Sequence, residues 1–194
     1  MQAQLLVSAT APDRFPPESL PEFAFLGRSN VGKSSLLNTL AGKPGLAHTS
    51  STPGRTQAIN FFRVDGPGGQ LVHLVDLPGY GFARVPLPVK EQWQRLIESY
   101  LTRRSTLELC FLLLDARRGW MDMDLELKAW LEAHDRNYVV IATKVDKLNQ
   151  KEQHHNLSAI REQLGDRELF PFSAANGRGA REIWQAISKI KNSR

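Results

Sequence analysis

Short apolar runs alternate with amphipathic stretches along this chain. Six runs have the length and the residue types of β-strands, at residues 22–27, 58–65, 70–77, 107–115, 137–143 and 167–173. The second and third are separated by Gly66-Pro67-Gly68-Gly69, a short loop typical of an antiparallel hairpin. Between strands, apolar residues recur at helical spacing, as at Val89, Trp93, Leu96, Ile97 and Tyr100. The chain is therefore expected to alternate strand and helix.

This alternation predicts a three-layer α/β domain with helices on both faces of a sheet. The sheet is expected to have six strands, to be mixed but mostly parallel, and to carry one antiparallel edge strand. We expect residues 1–194 to form a single domain, with a short N-terminal extension over about residues 1–21. In open sheets of this class, ligands bind beyond the carboxyl ends of the strands, so the chemistry is expected in the loops that follow them.

Composition narrows the setting in which the protein works. The 194 residues carry a formal charge of +5, with an isoelectric point of about 9.6, which favours polyanionic partners such as RNA, DNA or anionic lipid without choosing among them. Cys110 is the only cysteine, so no intrachain disulfide is possible, which suits a reducing compartment. The N-terminus has only three consecutive apolar residues, Leu5 to Val7, and lacks a basic start, so a secretory signal is not expected. We therefore expect a cytoplasmic protein.

The segment GRSNVGKSS, residues 27–35, follows the first predicted strand and precedes an apolar helical run. It contains the P-loop pattern G-x-x-x-x-G-K-S, in which glycines let backbone N–H groups curl around phosphate oxygens and the next helix adds its positive end. Lys33 is expected to reach the β- and γ-phosphates, and the hydroxyl of Ser34 to bind Mg²⁺. The predicted phosphate-binding loop comprises Gly27, Arg28, Ser29, Asn30, Val31, Gly32, Lys33, Ser34 and Ser35.

Three further motifs follow predicted strands and indicate which nucleotide is bound. DLPG at 76–79 places a carboxylate where it can hold Mg²⁺ through water, and a glycine N–H near the γ-phosphate. In TKVD at 143–146, Asp146 can accept hydrogen bonds from guanine N1–H and the guanine amino group, a donor pair that adenine lacks. Lys144 can lay its aliphatic stem across the base, and backbone N–H groups of SAA at 173–175 can contact guanine O6. The predicted guanine-nucleotide site therefore adds Asp76, Leu77, Pro78, Gly79, Thr143, Lys144, Asp146, Ser173, Ala174 and Ala175.

A polar stretch that contains glycine and proline, residues 42–57, separates the first predicted helix from the hairpin. It has the character of a mobile loop, as a nucleotide switch requires. A threonine here would complete the coordination of Mg²⁺ once GTP is bound, and both Thr52 and Thr56 are available. The residues alone do not choose between them.

Five segments, GRSNVGKSSLLN, TPGRTQAINFF, DLPGYGFARV, TKVDKL and FSA, together closely resemble the bacterial EngB (YihA/YsxC) GTPases, of the same broad class as Era and the tRNA-modification GTPase. The resemblance runs over nearly the whole chain, and TPGRTQ followed by DLPGYG is quite specific. It implies that Thr56 is the Mg²⁺ ligand, beside Gly54 and Arg55, so that the ion is held by Ser34, Thr56 and, through water, Asp76. It also implies a GTP-binding and GTP-hydrolysing switch required for assembly of the large ribosomal subunit, whose rRNA and proteins would be its partners.

Two residues bear on how GTP would be hydrolysed. Many regulatory GTPases have glutamine directly after DxxG to orient the attacking water, and Tyr80 stands there in this chain. Tyr80 can either pack against a neighbour or act directly, and intrinsic turnover is expected to be slow. Asn30 can bind K⁺ beside the phosphates, as asparagine does at this place in related GTPases, or can serve only to stabilise the loop. The expected cofactors are Mg²⁺ and, under the first of these interpretations of Asn30, K⁺.

Other functional classes stay open at this point. One is a guanine-nucleotide-gated scaffold that binds RNA or the ribosome with negligible hydrolysis. Another is a cell-division or membrane-related GTPase, for which no anchor, lipidation signal or amphipathic surface helix is visible in the sequence. Arg103-Arg104 and Arg117-Arg118 flank the fourth predicted strand and are candidates for contact with RNA phosphates or for solvated surface charge. Nothing in the sequence requires more than a monomer.

Overall fold

The computed structural model of the chain describes residues 2–47, 58–80 and 87–191. Within these ranges seven strands form one sheet: β1 (Ala3–Ala9), β2 (Glu22–Gly27), β3 (Ile59–Gly66), β4 (Gln70–Asp76), β5 (Leu107–Asp115), β6 (Tyr138–Thr143) and β7 (Leu169–Pro171). The α-helices are α1 (Lys33–Leu40), α2 (Leu87–Arg103), α3 (Asp122–Ala133), α4 (Gln150–Leu164) and α5 (Ala180–Lys191). All six predicted strands are present. No helix in the described ranges is long and apolar enough to cross a membrane.

The strands lie in the order β1-β3-β4-β2-β5-β6-β7. β2 pairs in parallel with β4 and β5, and the parallel pairing continues through β6 to β7. β3 is antiparallel to both of its neighbours, β4 and β1. The predicted α/β fold, with a mixed, mostly parallel sheet and antiparallel pairing at one edge, is confirmed. It has seven strands rather than six, and β3 is second from that edge because β1 lies outside it.

Side chains of the central strands alternate between two apolar layers, one on each face of the sheet. In β2, Phe23 and Phe25 belong to one layer, whereas Ala24 and Leu26 belong to the other. α1 and α5 supply the helical residues of the first layer, and α2, α3 and α4 supply those of the second. Because the central strands are covered on both faces, they form nearly continuous apolar runs in the sequence.

The one strand that the sequence pattern does not predict, β1, lies within the segment expected to be only an N-terminal extension. It is an edge strand, and Leu5 and Leu6 are 49% and 45% exposed. Its pairing with β3 shifts register between Leu5 and Val7, which interrupts the regular alternation of inward and outward side chains. A short apolar run without alternation carries little strand signal, so the sequence pattern does not predict β1.

A buried ion pair lies at the end of the sheet opposite the strand carboxyl ends. Glu22, the first residue of β2, is fully buried and accepts a hydrogen bond of 2.6 Å from Nη2 of Arg104. The same nitrogen donates to the carbonyl of Pro16, which ties the N-terminal segment to the chain just after α2. Burial opposes ionisation of Glu22, but the nearby His73 and Arg104 side chains outweigh it and hold the pKa of the carboxyl below its usual range. Arg104 is therefore committed to the interior and not available to RNA phosphates, unlike the exposed Arg103.

Candidate nucleotide-binding site

The loop between β2 and α1 turns tightly just before the helix and is the candidate phosphate cradle. Asn30 and Gly32 adopt left-handed backbone conformations, with φ of 62° and 108°, just before α1 begins. Gly27 has no room for a side chain, since a Cβ there would lie 2.8 Å from Cγ1 of Val31. α1 begins at Lys33 without a side-chain cap, so N–H groups of its first turn have no intrahelical partner. Such a helix start binds anions through those donors and through the positive end of its dipole.

Two residues of the TKVD segment brace this cradle. The hydroxyl of Thr143 donates to the carbonyl of Val31 at 2.6 Å, and the ammonium of Lys144 donates to the carbonyl of Asn30 at 2.6 Å. Thr143 is buried, whereas Lys144 is half-buried. The motif predicted to read the base is thus in direct contact with the loop predicted to hold the phosphates.

The lysine of the P-loop and the carboxylate of DLPG are also in contact. Asp76 ends β4, and the parallel pairing of β4 with β2 places it opposite Phe25. The ammonium of Lys33 donates to Oδ1 of Asp76, and the two side chains are only 11% and 6% exposed. Ser34, the next residue of α1, adds a hydroxyl oxygen. Hydroxyl and carboxylate oxygens are hard donors of the kind that Mg²⁺ prefers, so the residues present fit that ion.

The segment after β4 runs alongside the P-loop. The main-chain N–H of Ser29 donates to the carbonyl of Tyr80 at 3.1 Å, and the N–H of Tyr80 donates to the carbonyl of Gly27 at 3.4 Å. Gly79 approaches so closely that a Cβ on it would lie 3.0 Å from Oγ of Ser29. Gly79 is therefore held beside the phosphate cradle, where a side chain would not fit without a shift.

The phenol of Tyr80 is bound to α3. Its hydroxyl donates to Oδ1 of Asp124 at 2.8 Å, and its ring packs against the apolar layer that α2, α3 and α4 form. Asp124 is 2% exposed, and its Oδ2 accepts the N–H of Met121 at 3.1 Å. Burial and the neighbouring carboxyl of Asp124 raise the pKa of the Tyr80 hydroxyl, which keeps it a protonated donor. This geometry favours the packing interpretation of Tyr80, because its hydroxyl proton is already committed.

The segment after β7 orients the carboxylate that is predicted to read the base. The hydroxyl of Ser173 donates to Oδ1 of Asp146 at 2.7 Å, and Ser173 itself is fully buried. The N–H of Ala175 donates back to that hydroxyl at 3.2 Å, which fixes the loop. The hydrogen bond from Ser173 lowers the pKa of Asp146, so this carboxyl is an ionised acceptor at neutral pH. It can accept two hydrogen bonds from one edge of a base.

Asp115 is a residue of this site that the nucleotide motifs do not include. It ends β5 opposite Thr143 of β6. Its Oδ2 lies 3.1 Å from Nζ of Lys144, and its two oxygens accept hydrogen bonds from the guanidinium of Arg117. The sequence signal that could identify it is an acidic residue at the end of an apolar strand, the same signal that marks Asp76.

The structure brings most of the predicted site to one edge of the sheet. Residues 27–35, 76–80, 143–146 and 173–175 all follow the carboxyl ends of strands. Gly54, Arg55 and Thr56, together with the alternative Thr52, lie outside the described residues. The choice between the two threonines therefore stays a prediction.

Comparison with known proteins assigns the chain to a family. A family model described as "50S ribosome-binding GTPase" matches residues 22–144. A protein of Solibacter usitatus (strain Ellin6076), named "Probable GTP-binding protein EngB", is 58% identical over 194 residues, which are 100% of this chain and 98% of the relative. The chain belongs to the EngB family of GTP-binding proteins. Another EngB relative, from Syntrophus aciditrophicus (strain SB), is 48% identical over 189 residues, which are 97% of this chain and 94% of its own.

Solved structures agree with the EngB assignment. The crystal structure of a probable GTP-binding protein engB matches with a TM-score of 0.67 and 25% identity, over 89% of this chain and 100% of that one. Era in complex with MgGDPNP and nucleotides 1506–1542 of 16S ribosomal RNA matches with a TM-score of 0.75 and 23% identity, over 90% of this chain and 57% of the Era chain. At that identity the likeness to Era shows the fold alone. The resemblance to EngB GTPases that the sequence motifs carry is confirmed.

Proposed function

We propose that the protein is a Mg²⁺-dependent GTPase that acts as a nucleotide-controlled switch in the assembly of the large ribosomal subunit. The contact between its base-reading and phosphate-binding loops carries the nucleotide part of this proposal, since Lys144 of TKVD donates to the carbonyl of Asn30 in the P-loop at 2.6 Å. A nucleotide whose guanine is bound by Asp146 would therefore have its phosphates at the start of α1. The ribosomal part is supported by the description of the matching family as a 50S ribosome-binding GTPase.

Asp146 would give the site its preference for guanine. Its ionised carboxylate is held by Ser173 at 2.7 Å and retains capacity for the N1–H and amino donors of guanine. Adenine offers an acceptor at N1 instead, which would leave an ionised carboxylate facing a lone pair. Discrimination by such unpaired polar groups is strong.

The contact between Lys33 and Asp76 would be exchanged when GTP binds. Lys33 would turn from Asp76 to oxygens of the β- and γ-phosphates, while Asp76 would accept hydrogen bonds from metal-bound water. The hydroxyls of Ser34 and Thr56 are the proposed direct ligands. When bound, Mg²⁺ neutralises charge on the phosphates and orients them for hydrolysis. Loss of the γ-phosphate would release Thr56 and Gly79 and so change the surface that a partner reads.

Hydrolysis by the isolated protein is expected to be slow. The position that holds glutamine in many regulatory GTPases is Tyr80, whose hydroxyl is bonded to Asp124 at 2.8 Å. We propose that Asn30 helps to bind K⁺ beside the phosphates, where the cation would substitute for the charge of an arginine finger. Stimulation of single-turnover hydrolysis by K⁺ over Na⁺ would support this role, and equal rates in the two salts would contradict it.

We also propose that residues 1–194 work as one domain, as a monomer, and in the cytoplasm. β1 supports the first point, because residues ahead of the P-loop are part of the same sheet. Gel filtration with light scattering tests the monomer. A mass of twice 21.8 kDa would contradict it.

Sedimentation with purified ribosomal subunits tests the proposed function. The full chain is mixed with large or small subunits at physiological salt, with GDP or a non-hydrolysable GTP analogue. We expect binding to the large subunit that strengthens with the analogue. Asp146→Asn is the matched control, because the amide N–H of asparagine opposes the guanine amino group but can donate a hydrogen bond to the carbonyl oxygen that xanthine carries in its place. It should lose the effect with the guanine analogue and regain it with the xanthine analogue. If the protein binds GDP but does not bind the large subunit, the ribosomal part of the proposal is wrong and the nucleotide part stands.

A second candidate function is a nucleotide-gated scaffold with negligible hydrolysis. The commitment of the Tyr80 hydroxyl to Asp124 favours it, because Tyr80 stands where many regulatory GTPases have the glutamine that orients the attacking water. The two functions differ in turnover on the partner. Hydrolysis accelerated by the large subunit supports the enzyme, whereas analogue-dependent binding without turnover supports the scaffold.

A further inference from the structure

Asp115 lies between the base-reading and phosphate-binding loops. β5, which it ends, pairs in parallel with β2 on one side and with β6 on the other. The P-loop begins at Gly27, opposite Leu113 of β5, and TKVD begins at Thr143, opposite Asp115. The side chain of Asp115 is 11% exposed. The sheet register therefore places one carboxylate beside both halves of the nucleotide site.

Both oxygens of Asp115 are occupied by cationic donors. Nε of Arg117 donates to Oδ1 at 2.9 Å and Nη2 to Oδ2 at 2.6 Å. Nζ of Lys144 lies 3.1 Å from Oδ2. Burial alone would raise the pKa of Asp115, but Arg117 and Lys144 outweigh it and lower that pKa to about 2. The carboxylate is therefore ionised throughout the neutral range, so its attraction for the ammonium of Lys144 does not depend on pH there.

Lys144 in turn reaches the P-loop. Its ammonium donates to the carbonyl of Asn30 at 2.6 Å. Lys144 and Asn30 both have left-handed backbones, with φ of 61° and 62°. Asparagine enters that region more readily than most residues, but lysine rarely adopts it unless its surroundings hold it. Two acceptors on different elements fix the ammonium of Lys144, and the ammonium fixes the turn at Asn30.

We propose that Asp115 is a positioning residue for the nucleotide, which acts through Lys144 to hold the TKVD segment against the P-loop at Asn30. This inference rests on the proposed binding of guanine nucleotides. Asp115 would not touch the nucleotide. It would keep the phosphate cradle and the base-reading loop at one fixed separation, so its loss would release GDP and GTP alike.

Asp115 lines a cavity, so its role in positioning can be tested without disturbing the apolar layers. The cavity has a volume of about 280 Å³ and is lined by Asp115 and Lys144 together with side chains that include Arg28, Arg117 and Arg118. Since Asp115 faces this space, a change of its charge does not alter the volume of the apolar layers. Asp115→Asn keeps the shape of the side chain and weakens its hold on the cation.

Dissociation of a fluorescent GDP analogue from the full-length protein is the measurement. Asp115→Asn is expected to release the analogue about tenfold faster, the size expected when a charge-assisted hydrogen bond near the surface is weakened. Asp115→Glu should recover much of the slow rate, because it restores the charge. Arg117→Gln is the matched control. It removes the other partner of Asp115 but leaves the contact with Lys144, and should change the rate by less than about threefold.

A double-mutant cycle tests whether Asp115 acts through Lys144. Asp115→Asn combined with Lys144→Met should release the analogue no faster than Lys144→Met alone. Effects that multiply in the double variant would overturn the inference, as would a wild-type rate in Asp115→Asn. A thermal melt without nucleotide completes the test, because a purely structural role predicts a fall in melting temperature that parallels the release rate. If Asp115→Asn does not fold, Asp115→Ser and Asp115→Ser/Lys144→Met carry the same cycle, because serine also removes the charge. Wild-type protein that binds no GDP would instead overturn the proposed function.

Discussion

Tyr80→Phe separates the two interpretations of the residue that stands in place of glutamine. The substitution removes one oxygen and leaves the ring in its apolar contacts. It deprives Asp124 of the hydroxyl that lies 2.8 Å from its Oδ1. Asp124 keeps the N–H of Met121 at 3.1 Å. The change therefore weakens the link between α3 and the segment that follows β4 without opening a cavity.

The expected cost follows from the burial of Asp124. A hydrogen bond to a charged group contributes about 1.5–3 kcal/mol, and Asp124 is only 2% exposed, so water cannot easily replace the phenol. Since one partner of the carboxyl remains, we expect the free energy of unfolding to fall by about 2 kcal/mol. For a chain of this length, 1 kcal/mol corresponds to about 2–4 °C, so the melting temperature should fall by about 4–8 °C.

Tyr138→Phe is the matched control for this prediction. The hydroxyl of Tyr138 also donates to a carboxylate, at 2.6 Å from Oε1 of Glu132. The side chain of Glu132 is 39% exposed, so water can take the place of the phenol, and the cost should stay below about 1 kcal/mol.

Chemical denaturation and single-turnover hydrolysis of GTP are measured on both variants. A packing role predicts the larger destabilisation in Tyr80→Phe and a hydrolysis rate within about threefold of wild type. Equal destabilisation of the two variants would refute the reasoning from burial. A rate loss above about tenfold with unchanged stability would instead assign Tyr80 a direct role.

Three further substitutions test the fold and the site. Arg104→Met leaves the buried charge of Glu22 without its cationic partner and should lower the free energy of unfolding by about 3–5 kcal/mol near pH 7. Because the native pKa of Glu22 is held low, the pair's contribution is present above the unfolded pKa and lost as pH falls, so denaturation at pH 7 and about pH 4 should show the difference shrinking. Ser173→Ala should weaken GDP binding about fivefold in a fluorescence titration, because Asp146 loses its orienting hydrogen bond. Gly27→Ala places a Cβ 2.8 Å from a neighbouring side chain. GDP affinity, measured by calorimetry, should fall by more than about tenfold, and wild-type affinity in this variant would contradict the prediction.

The sequence predicts strands well where both faces of the sheet are covered. Residues 109–114 are all apolar because their side chains alternate into two buried layers, and the predicted bounds of the strand, 107–115, equal those of β5. β1 fails the same reasoning, because Leu5 and Leu6 are about half exposed and the register shifts between Leu5 and Val7. Its place in the sheet depends on pairing with β3, which is remote in sequence and leaves no local period.

The residues of the site are easier to predict than their partners. The P-loop and TKVD are local motifs whose spacing follows from the backbone turns that they form, so their residues can be read directly. The contacts Tyr80–Asp124 and Lys144–Asp115 join different elements, and sheet register and helix placement decide them. The number of residues between two such positions in the sequence does not determine whether their side chains meet. The pairing of Asp115 with Lys144 and of Asp124 with Tyr80 therefore becomes visible only when the strands and α3 are assembled.

Two lysines of the site each contact a carboxylate at a strand end, and GTP would affect the two pairs differently. Asp76 is the proposed partner of metal-bound water, so its contact with Lys33 must be exchanged. Asp115 is also held by Arg117 at 2.6 Å, so its contact with Lys144 can persist through the nucleotide cycle.

The Mg²⁺ dependence of nucleotide release distinguishes the two pairs. Asp76→Asn should raise the Mg²⁺ concentration needed for half-maximal retention of a fluorescent GTP analogue by about tenfold, as loss of a hydrogen-bond partner of a metal ligand does. Asp115→Asn should speed release at every Mg²⁺ concentration and leave that midpoint unchanged, because it acts on the loops and not on the ion. An equal shift of the midpoint in both variants would mean that the two carboxylates serve one electrostatic function. The distinction between an exchanged pair and a permanent pair would then be wrong.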